Sequence, residues 1–182
     1  SQLDSSASSM GSRLLRYWLH HPLRQRETLK LRHDAVSMLS QNNSAQKKLH
    51  DALKQIADIE RITGRIALQS ARPRDLSGLR DALALLPAMQ SVLNSIDSPR
   101  LQQLSGDLVC DSKLLIILNN SLLDEPASVL REGGVIRDGY DTELDELRGI
   151  QNNCGEFLLA LEAREKARTG ITTLKVEYNR VH

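Results

Sequence analysis

The fold is decided by residues 58–76, DIERITGRIALQSARPRDL, because this stretch joins two helices through one polar corner that contains a proline. Ile59, Ile62 and Ile66 recur at steps of three and four, so on a helix they lie along one face, which we expect to be buried. Gly64 has no side chain and is expected to admit a neighbouring helix closely. The opposite side is charged and consists of Glu60, Arg61 and Arg65.

A helix boundary is predicted at Arg72-Pro73, since a proline ring crowds the residue before it out of the α region. Pro73 suits the first position of the next helix, and Asp75 in its first turn complements the helix dipole. The rest of the chain is expected to pack as helices around this corner.

Composition favours one helical domain without a strong charge. The 182 residues are rich in leucine and only 3% aromatic, and 24 basic against 23 acidic residues leave a net charge of +1. Neither a signal peptide nor an apolar run of about 18 residues is visible, so we expect a cytoplasmic protein with no membrane partner. Cys110 and Cys154 lack companions at metal-ligand spacing and are predicted to be buried thiols.

The first helix is predicted to begin at a Ser8 cap and to stop at Pro22. Met10, Leu14 and Trp18 fall at steps of four beside Leu15 and Leu19 in its apolar stripe, so Trp18 is interpreted as a core residue rather than as a base-stacking one. His20 and His21 are adjacent and point about 100° apart on a helix, so solvated helix-end histidines are favoured over a metal site.

The second and third helices carry the next apolar positions. Residues 26–40 place Leu29, His33, Val36 and Leu39 on one side, with His33 expected to be semi-buried and hydrogen-bonded. Ser44 is predicted to cap the third helix, whose apolar positions are Leu49, Leu53 and Ile56. Its basic face is interpreted as solvated, a phosphate-binding patch being the alternative, and consists of Lys47, Lys48, His50 and Lys54.

After the corner, a long apolar seam is predicted, with Gln90 filling one position. Its members are Leu76, Leu79, Leu83, Leu86 and Leu93. Pro87 lies inside the seam and is expected to kink or divide the helix. Ser98-Pro99 begins another helix with Leu101, Leu104 and Leu108 inward. Asp111 or Ser112 begins the next, with Leu114, Leu115, Leu118 and Leu122 inward.

Residues 125–141 interrupt the helical pattern. Gly133-Gly134 and Asp138-Gly139 flank Val135 and Ile136, which is typical of a short β ribbon closed by a tight turn. A phosphate cradle is the alternative, but the motif GxxxxGK[ST] is absent from the chain.

The last helix is predicted to span residues 142–170, capped by Thr142 and ended by Gly170. Its apolar stripe consists of Leu144, Leu147, Ile150, Cys154, Phe157, Leu158 and Leu161. The charged end at residues 163–170 is expected to project from the core. Residues 171–182 alternate as a strand through Leu174, Val176 and Tyr178, and need partners in the ribbon or outside the chain.

Four segments in order resemble the MutS family of DNA mismatch-repair ATPases. They are SMGSRLLRYWLHHPL at 9–23, IERITGRIALQSARPRDL at 59–76, REGGVIRDGYDTELDELR at 131–148, and AREKARTGITTLKVEYNRVH at 163–182. The pattern resembles the core or lever region up to the clamp junction, with Ser8 where relatives often have threonine. It implies an all-α multi-helix bundle with a long lever-type helix and a minor β ribbon or strand.

The resemblance implies one core or lever domain over residues 1–182. Within it, 1–124 form the helical core, 125–141 the ribbon loop, 142–170 the projecting helix, and 171–182 a strand toward a clamp outside the chain. The sequence begins without methionine and ends within a strand-like run, so we expect a piece of a longer protein.

The function implied by the resemblance is mechanical. The core couples the DNA-binding parts, which take mismatched double-stranded DNA, to the ATPase, and its intramolecular partners are the clamp, connector and ATPase domains. The family's Phe-x-Glu and phosphate-binding loop are missing, so no catalytic, cofactor or metal residue is assigned here, and DNA-binding residues stay unknown. ATP and Mg²⁺ are expected only for the ATPase domain. The full-length protein is expected to be a homodimer and the fragment a monomer.

Two other classes of function remain open from the residues alone. A stand-alone helical module with direct, non-specific DNA binding would use the basic faces around Lys47 and at Arg164 to Arg168. An enzyme is the less favoured alternative, because the histidines and carboxylates are scattered without a pocket motif.

Overall fold

The computed structural model describes residues 3–176, with the backbone alone described at Ile150, Asn152 and Cys154. The described part is all-α, as predicted, and divides into two compact units, Ser1–Arg137 and Asp138–His182. The first unit holds α1–α7, followed by a short 3₁₀ helix, Leu130–Glu132. The helices of the first unit are α1 Ser9–His20, α2 Arg26–Gln41, α3 Asn43–Gln55, α4 Ile59–Ala67, α5 Pro73–Asn94, α6 Pro99–Asp107 and α7 Ser112–Ser121. The second unit holds α8, Thr142–Thr169.

Two clusters of buried apolar residues form the core of the first unit. The first cluster consists of Ala35, Ala45, Leu49, Met89, Leu93, Ile96 and Leu101. The second cluster consists of Ile62, Leu79, Leu118, Leu122 and Val135. Helix α5 supplies residues to both, Leu79 to the second cluster and Met89 and Leu93 to the first, so this one helix joins the two.

The proline corner forms as predicted. Pro73 is the first residue of α5, and the backbone N–H of Arg72 donates to the Asp75 carboxylate over 2.9 Å. The other oxygen of that carboxylate accepts from Arg65 Nη2 over 2.7 Å, so Asp75 both caps α5 and ties it to α4. Pro87, an exposed residue, lies inside α5 without dividing it.

The prediction for the α4 face is confirmed in part. Ile62 is buried and Ile59 half-buried, but Ile66 is exposed because it lies at the end of the helix, beyond the second cluster. The close approach falls at Gly78 rather than at Gly64, where a Cβ atom would have no neighbour within 4 Å. A Cβ at Gly78 would lie 3.2 Å from the Ala57 side chain, so the missing side chain is needed in α5 instead.

Two predicted helix caps are wrong by one or two residues. Asn42 rather than Ser44 caps α3, its side chain accepting from Ala45 N over 3.1 Å. Asp141 rather than Thr142 caps α8, accepting from Leu144 N over 3.0 Å. Ser8 caps α1 as predicted, and Asp111, one of the two residues predicted to begin α7, caps that helix. Asparagine and serine have similar capping preferences, so the sequence pattern alone does not choose between Asn42 and Ser44, whereas aspartate is preferred over threonine and favours Asp141.

Several residues predicted to face inward are exposed. In α1, Leu14, Trp18 and Leu19 are exposed, and Trp18 retains 37% of its surface. In α2, His33 and Val36 are exposed, because the buried face turns toward Ala35. Leu104 and Leu114 are also exposed, the inner faces of α6 and α7 being centred on Leu101, Ser105 and Leu118. Cys110 is a half-buried thiol, and the Cys154 side chain lies outside the described part of the structure.

The predicted ribbon pairs with a different segment. The described residues contain one antiparallel bridge, Leu122 with Ile136, and Leu123 N–H donates to Val135 O over 3.0 Å. Val135 and Ile136 therefore pair with the chain after α7 instead of closing on themselves through a tight turn. Gly133 and Gly134 take positive φ values of 69° and 63°, which lets the chain reverse after the 3₁₀ helix.

The second unit is a long helix with an exposed apolar stripe. None of the α8 side chains that the structure describes is buried, and Leu147 and Phe157 retain 57% and 65% of their surface. Gly170 ends the helix in the left-handed conformation, as predicted. Residues 171–176 form no strand; the chain turns back, and Val176 N–H donates to Glu162 over 3.1 Å. Tyr178 of the predicted strand lies outside the described residues.

None of the helices in the described part of the chain combines the length and apolarity needed to cross a membrane.

The assignment of buried and exposed positions on α7 predicts unequal effects of two leucine truncations. Leu118→Ala removes a side chain from the second cluster and is expected to lower the free energy of unfolding by about 2–5 kcal/mol. Leu114→Ala, on the same helix, is expected to lower it by less than about 1 kcal/mol, because Leu114 is exposed. Urea unfolding followed by far-UV circular dichroism measures both. Equal losses would show that the inner face of α7 is assigned wrongly.

Candidate functional site: an arginine clamp and a polar latch in the first unit

A buried arginine holds the backbone that follows α7. Arg80, in the middle of α5, is only 7% exposed. Its Nη1 and Nη2 donate to the carbonyls of Leu123 and Asp124, each over 3.0 Å, and its Nε donates to the Asp81 carboxylate over 2.9 Å. All three guanidinium nitrogens thus have acceptors, which a buried positive charge requires.

A second arginine, Arg137, binds the same backbone and is the last residue of the first unit. Arg137 N–H donates to Ser121 O over 2.8 Å, and Nε donates to Leu122 O over 3.1 Å. Its Nη2 pairs with the Asp124 carboxylate at 2.7 Å. The carbonyls of residues 122–124 therefore accept from two guanidinium groups in turn. We call Arg80, Arg137, Asp81 and Asp124 the arginine clamp.

The clamp satisfies the carbonyls that directly follow α7. They belong to Leu122, Leu123 and Asp124, which lie beyond the last helical residue, Ser121, and have no intrahelical partner. Leu122 itself is nearly fully buried. The two clamp arginines donate to these carbonyls, and hydrogen bonds from charged groups are stronger than neutral ones. The clamp consequently fixes Arg137, the last residue of the first unit.

A second polar cluster, which we call the polar latch, joins α1 to α4. Arg13 donates to both Asp58 oxygens, each over 2.7 Å, and also pairs with Glu60, its Nε lying 2.9 Å from that carboxylate. Ser9 Oγ donates to Asp58 over 2.9 Å. Asp58 additionally caps α4 by accepting from Arg61 N over 3.3 Å.

Charge pairing shifts the protonation of the latch. Hydrogen bonds from the Arg13 guanidinium outweigh partial desolvation and hold the pKa of Asp58 well below its usual value of 3.8, and Ser9 and the Arg61 N–H act in the same direction. The same bonds from Asp58 and Glu60 raise the pKa of Arg13. Both groups are therefore charged across the neutral range.

The basic faces noted in the sequence differ from one another. Lys47, Lys48 and Lys54 are exposed and form no ion pair with a described residue. Arg164, Lys166 and Arg168 of α8 are each paired with a glutamate, Lys166 with Glu162 at 2.7 Å and the arginines with Glu165. The α8 charges are thus largely compensated, and the α3 face is the more cationic surface.

The histidines among residues 3–176 form no shared site. His20 and His21 are exposed at the end of α1, as predicted, and His21 stacks on Tyr17 with 4.4 Å between ring centroids. His50 is half-buried, and its ring nitrogens have no hydrogen-bond partner among the described residues. Within that part of the chain, no three histidine, cysteine or carboxylate side chains are grouped closely enough to hold a metal ion.

Sequence reasoning missed both polar clusters. Arg80 directly follows Leu79 of the predicted leucine seam. An arginine next to such a seam was the one local signal in the sequence for a buried charge, which would need hydrogen-bond partners. Arg13 carries no such signal, because its partner Asp58 is 45 residues away in the chain. Partners at that separation are visible only after folding.

Removal of the central clamp cation is expected to destabilise the first unit. Arg80→Gln removes the buried cation that donates to the Leu123 and Asp124 carbonyls and is expected to lower the free energy of unfolding by at least about 2 kcal/mol. Arg74→Gln is the matched control, because Arg74 is an exposed arginine on the same helix; its change is expected within about 0.5 kcal/mol. Urea unfolding measures both, and a loss as small for Arg80→Gln as for the control would contradict the clamp.

The polar latch is expected to raise the free energy of unfolding at neutral pH and to lose this effect at acidic pH. Because the pKa of Asp58 is lower in the folded state, its contribution is fully present above the unfolded value of about 3.9 and declines as pH falls below it. The loss of stability caused by Asp58→Asn should therefore be larger at neutral pH than at pH about 3. Asp51→Asn, at an exposed carboxylate without an ion pair to a described residue, is the control. A loss from Asp58→Asn that does not change with pH would rule out this role.

One comparison with known proteins bears on the whole chain. A sequence model of MutS domain III matches residues 1–176, which include nearly all of both units and every described residue. The match agrees with the four resembling segments, which lie in the same order along the chain, and it confirms the resemblance. The chain therefore belongs to the MutS domain III family and is a domain of a MutS-type mismatch-repair protein.

Proposed function

We propose that this domain is the mechanical core that couples the DNA-binding domains of a MutS-type mismatch-repair protein to its ATPase domain, with no catalytic activity of its own. Family membership supports the setting, and the arginine clamp is the observation that carries the mechanical role. The clamp anchors the last residue of the first unit to the body of that unit. A displacement of α8 along the chain would reach the first unit at this residue.

The body behind the clamp is suited to transmit a displacement. Helix α5 has 22 residues, about 33 Å at 1.5 Å per residue, and it is packed in both apolar clusters. Packed helices resist compression because protein interiors are close-packed. Arg80 projects from the same helix, so the clamp is attached directly to the element that joins the clusters.

Helix α8 is suited to reach other domains. Its 28 residues extend about 42 Å, and its described apolar side chains are exposed or half-buried. Leu147 and Phe157 are exposed apolar side chains that a partner domain would cover. We propose the clamp, connector and ATPase domains as these intramolecular partners. In the same protein, ATP and Mg²⁺ would bind the ATPase domain alone.

Assembly and location follow from the same proposal. The full-length protein would be a cytoplasmic homodimer, and the isolated domain a monomer. Mismatched double-stranded DNA would be bound through other domains.

Direct DNA binding is the second candidate function, favoured by one observation. Lys47, Lys48 and Lys54 give α3 an uncompensated basic face. Such a face would bind phosphates without reading base sequence, and salt would weaken that binding steeply.

Fluorescence anisotropy of the 182-residue chain with matched and mismatched duplexes separates the two functions. For a coupling domain we expect no more than weak binding at low salt, equal for both duplexes and abolished by moderate salt. Direct DNA binding by α3 instead predicts binding that is still measurable at moderate salt and that the triple variant Lys47→Gln, Lys48→Gln, Lys54→Gln abolishes. Arg164→Gln with Arg168→Gln is the control and should have a smaller effect, because these arginines are paired with Glu165. A preference for the mismatch, or tight binding that survives moderate salt, would contradict the proposal.

A further inference from the structure

The first helix is attached to the rest of its unit in an unusual way. The structure describes every residue of α1, and none of them is buried. No α1 residue belongs to either apolar cluster, whereas α2–α7 all contribute residues to one or both, either buried or packed against them. Apolar burial therefore holds α2–α7 together, whereas α1 contributes only the half-buried Met10 and Leu15, which belong to neither cluster.

Charged and polar contacts hold α1 instead. At its first turns, Arg13 and Ser9 bind Asp58 within the polar latch. Near its other end, the Arg32 guanidinium of α2 lies 3.7 Å from the centroid of the Trp18 ring. Both attachments involve partly exposed groups. In the polar latch, Asp58 keeps 18% of its side-chain surface exposed and Arg13 keeps 37%. In the cation–π contact, Trp18 is 37% exposed.

The segment before α1 is tied to the helix itself. Asp4 accepts from Ser6 N over 3.1 Å and from Ser12 Oγ over 3.2 Å, and Ser8 caps the helix by accepting from Gly11 N. Residues 4–12 are therefore bonded among themselves. The chain between α1 and α2, residues 21–25, is exposed throughout.

We propose that α1 is a releasable helix, which detaches from the first unit as one body when the polar latch opens, while both apolar clusters stay intact. Release would remove the ion pairs and the Ser9–Asp58 hydrogen bond of the latch and one cation–π contact, and it would expose the half-buried Met10 and Leu15, but it would open neither cluster. Attractions between partly exposed charges weaken as salt rises. Ionic conditions would thus control α1 without unfolding α2–α7.

The chain carries a natural reporter of this motion. Trp18 is its one tryptophan and lies on α1, so tryptophan fluorescence reports α1 alone. Hydrogen exchange of the α1 backbone amides gives a second readout, and amides of α5 report whether the core has opened.

The test compares Arg13→Gln with Arg16→Gln in the 182-residue chain. Both changes remove one positive charge from α1, but Arg16 is exposed and makes no ion pair with a described residue. We expect Arg13→Gln to lower the exchange protection of amides 13–20 by about tenfold or more, with α5 protection unchanged and Trp18 more accessible to acrylamide. Acrylamide is neutral, so its access to Trp18 is not altered by the charge change itself.

The controls decide between release and general destabilisation. Arg16→Gln should resemble the wild type, and in the wild type itself a rise in KCl should lower α1 protection before that of α5. The proposal is overturned if Arg13→Gln leaves α1 protected like the control. It is equally overturned if α1 and α5 lose protection together, since the latch would then support the whole unit.

Discussion

The buried guanidinium of Arg80 is the interaction on which the second cluster depends. Just after α7, the carbonyls of Leu123 and Asp124 accept from the Arg80 guanidinium, and an unpaired carbonyl or an unpaired charge in that place would each be costly. The charge and the carbonyls satisfy one another, because Arg80 donates to the carbonyls of Leu123 and Asp124. These two residues lie 43 and 44 positions further along the chain. The backbone after α7 is then free to bury Leu122 and to pair with Ile136, whose neighbour Val135 completes the cluster.

Helix α5 makes the two clusters parts of one body. It contributes Leu79 at one end and Leu93 at the other, so a displacement of α5 changes the packing of both clusters. Small residues let its neighbours approach, since Ala82 is fully buried and Gly78 lies against Ala57. The clamp arginine on the same helix connects this shared element to the last residue of the unit. The same helix, α5, therefore joins the two clusters and anchors the last residue of the first unit.

Local signals predicted most of the helical framework. Pro73 and Asp75 act within a few residues of each other, so the corner could be predicted, and Gly170 ended α8 for the same reason. Where two capping side chains stood close together, as with Asn42 and Ser44, the sequence offered no energetic reason to prefer one. Neither the clamp nor the latch could be predicted, because their strengths come from partners brought together by tertiary folding.

Periodicity predicted which residues share a face, but it did not say what covers that face. Leu79, Leu86 and Leu93 of α5 are buried within the first unit, whereas Trp18 of α1 and Leu147 of α8 lie on equally periodic stripes but remain exposed. The pattern is the same because every such stripe is apolar, and the difference lies in whether a covering surface is present. For α1, attachment by charge substitutes for apolar burial. Because a charged contact responds to salt and to pH while a buried leucine seam hardly does, the helix held by charge is the one whose position the solution conditions can change.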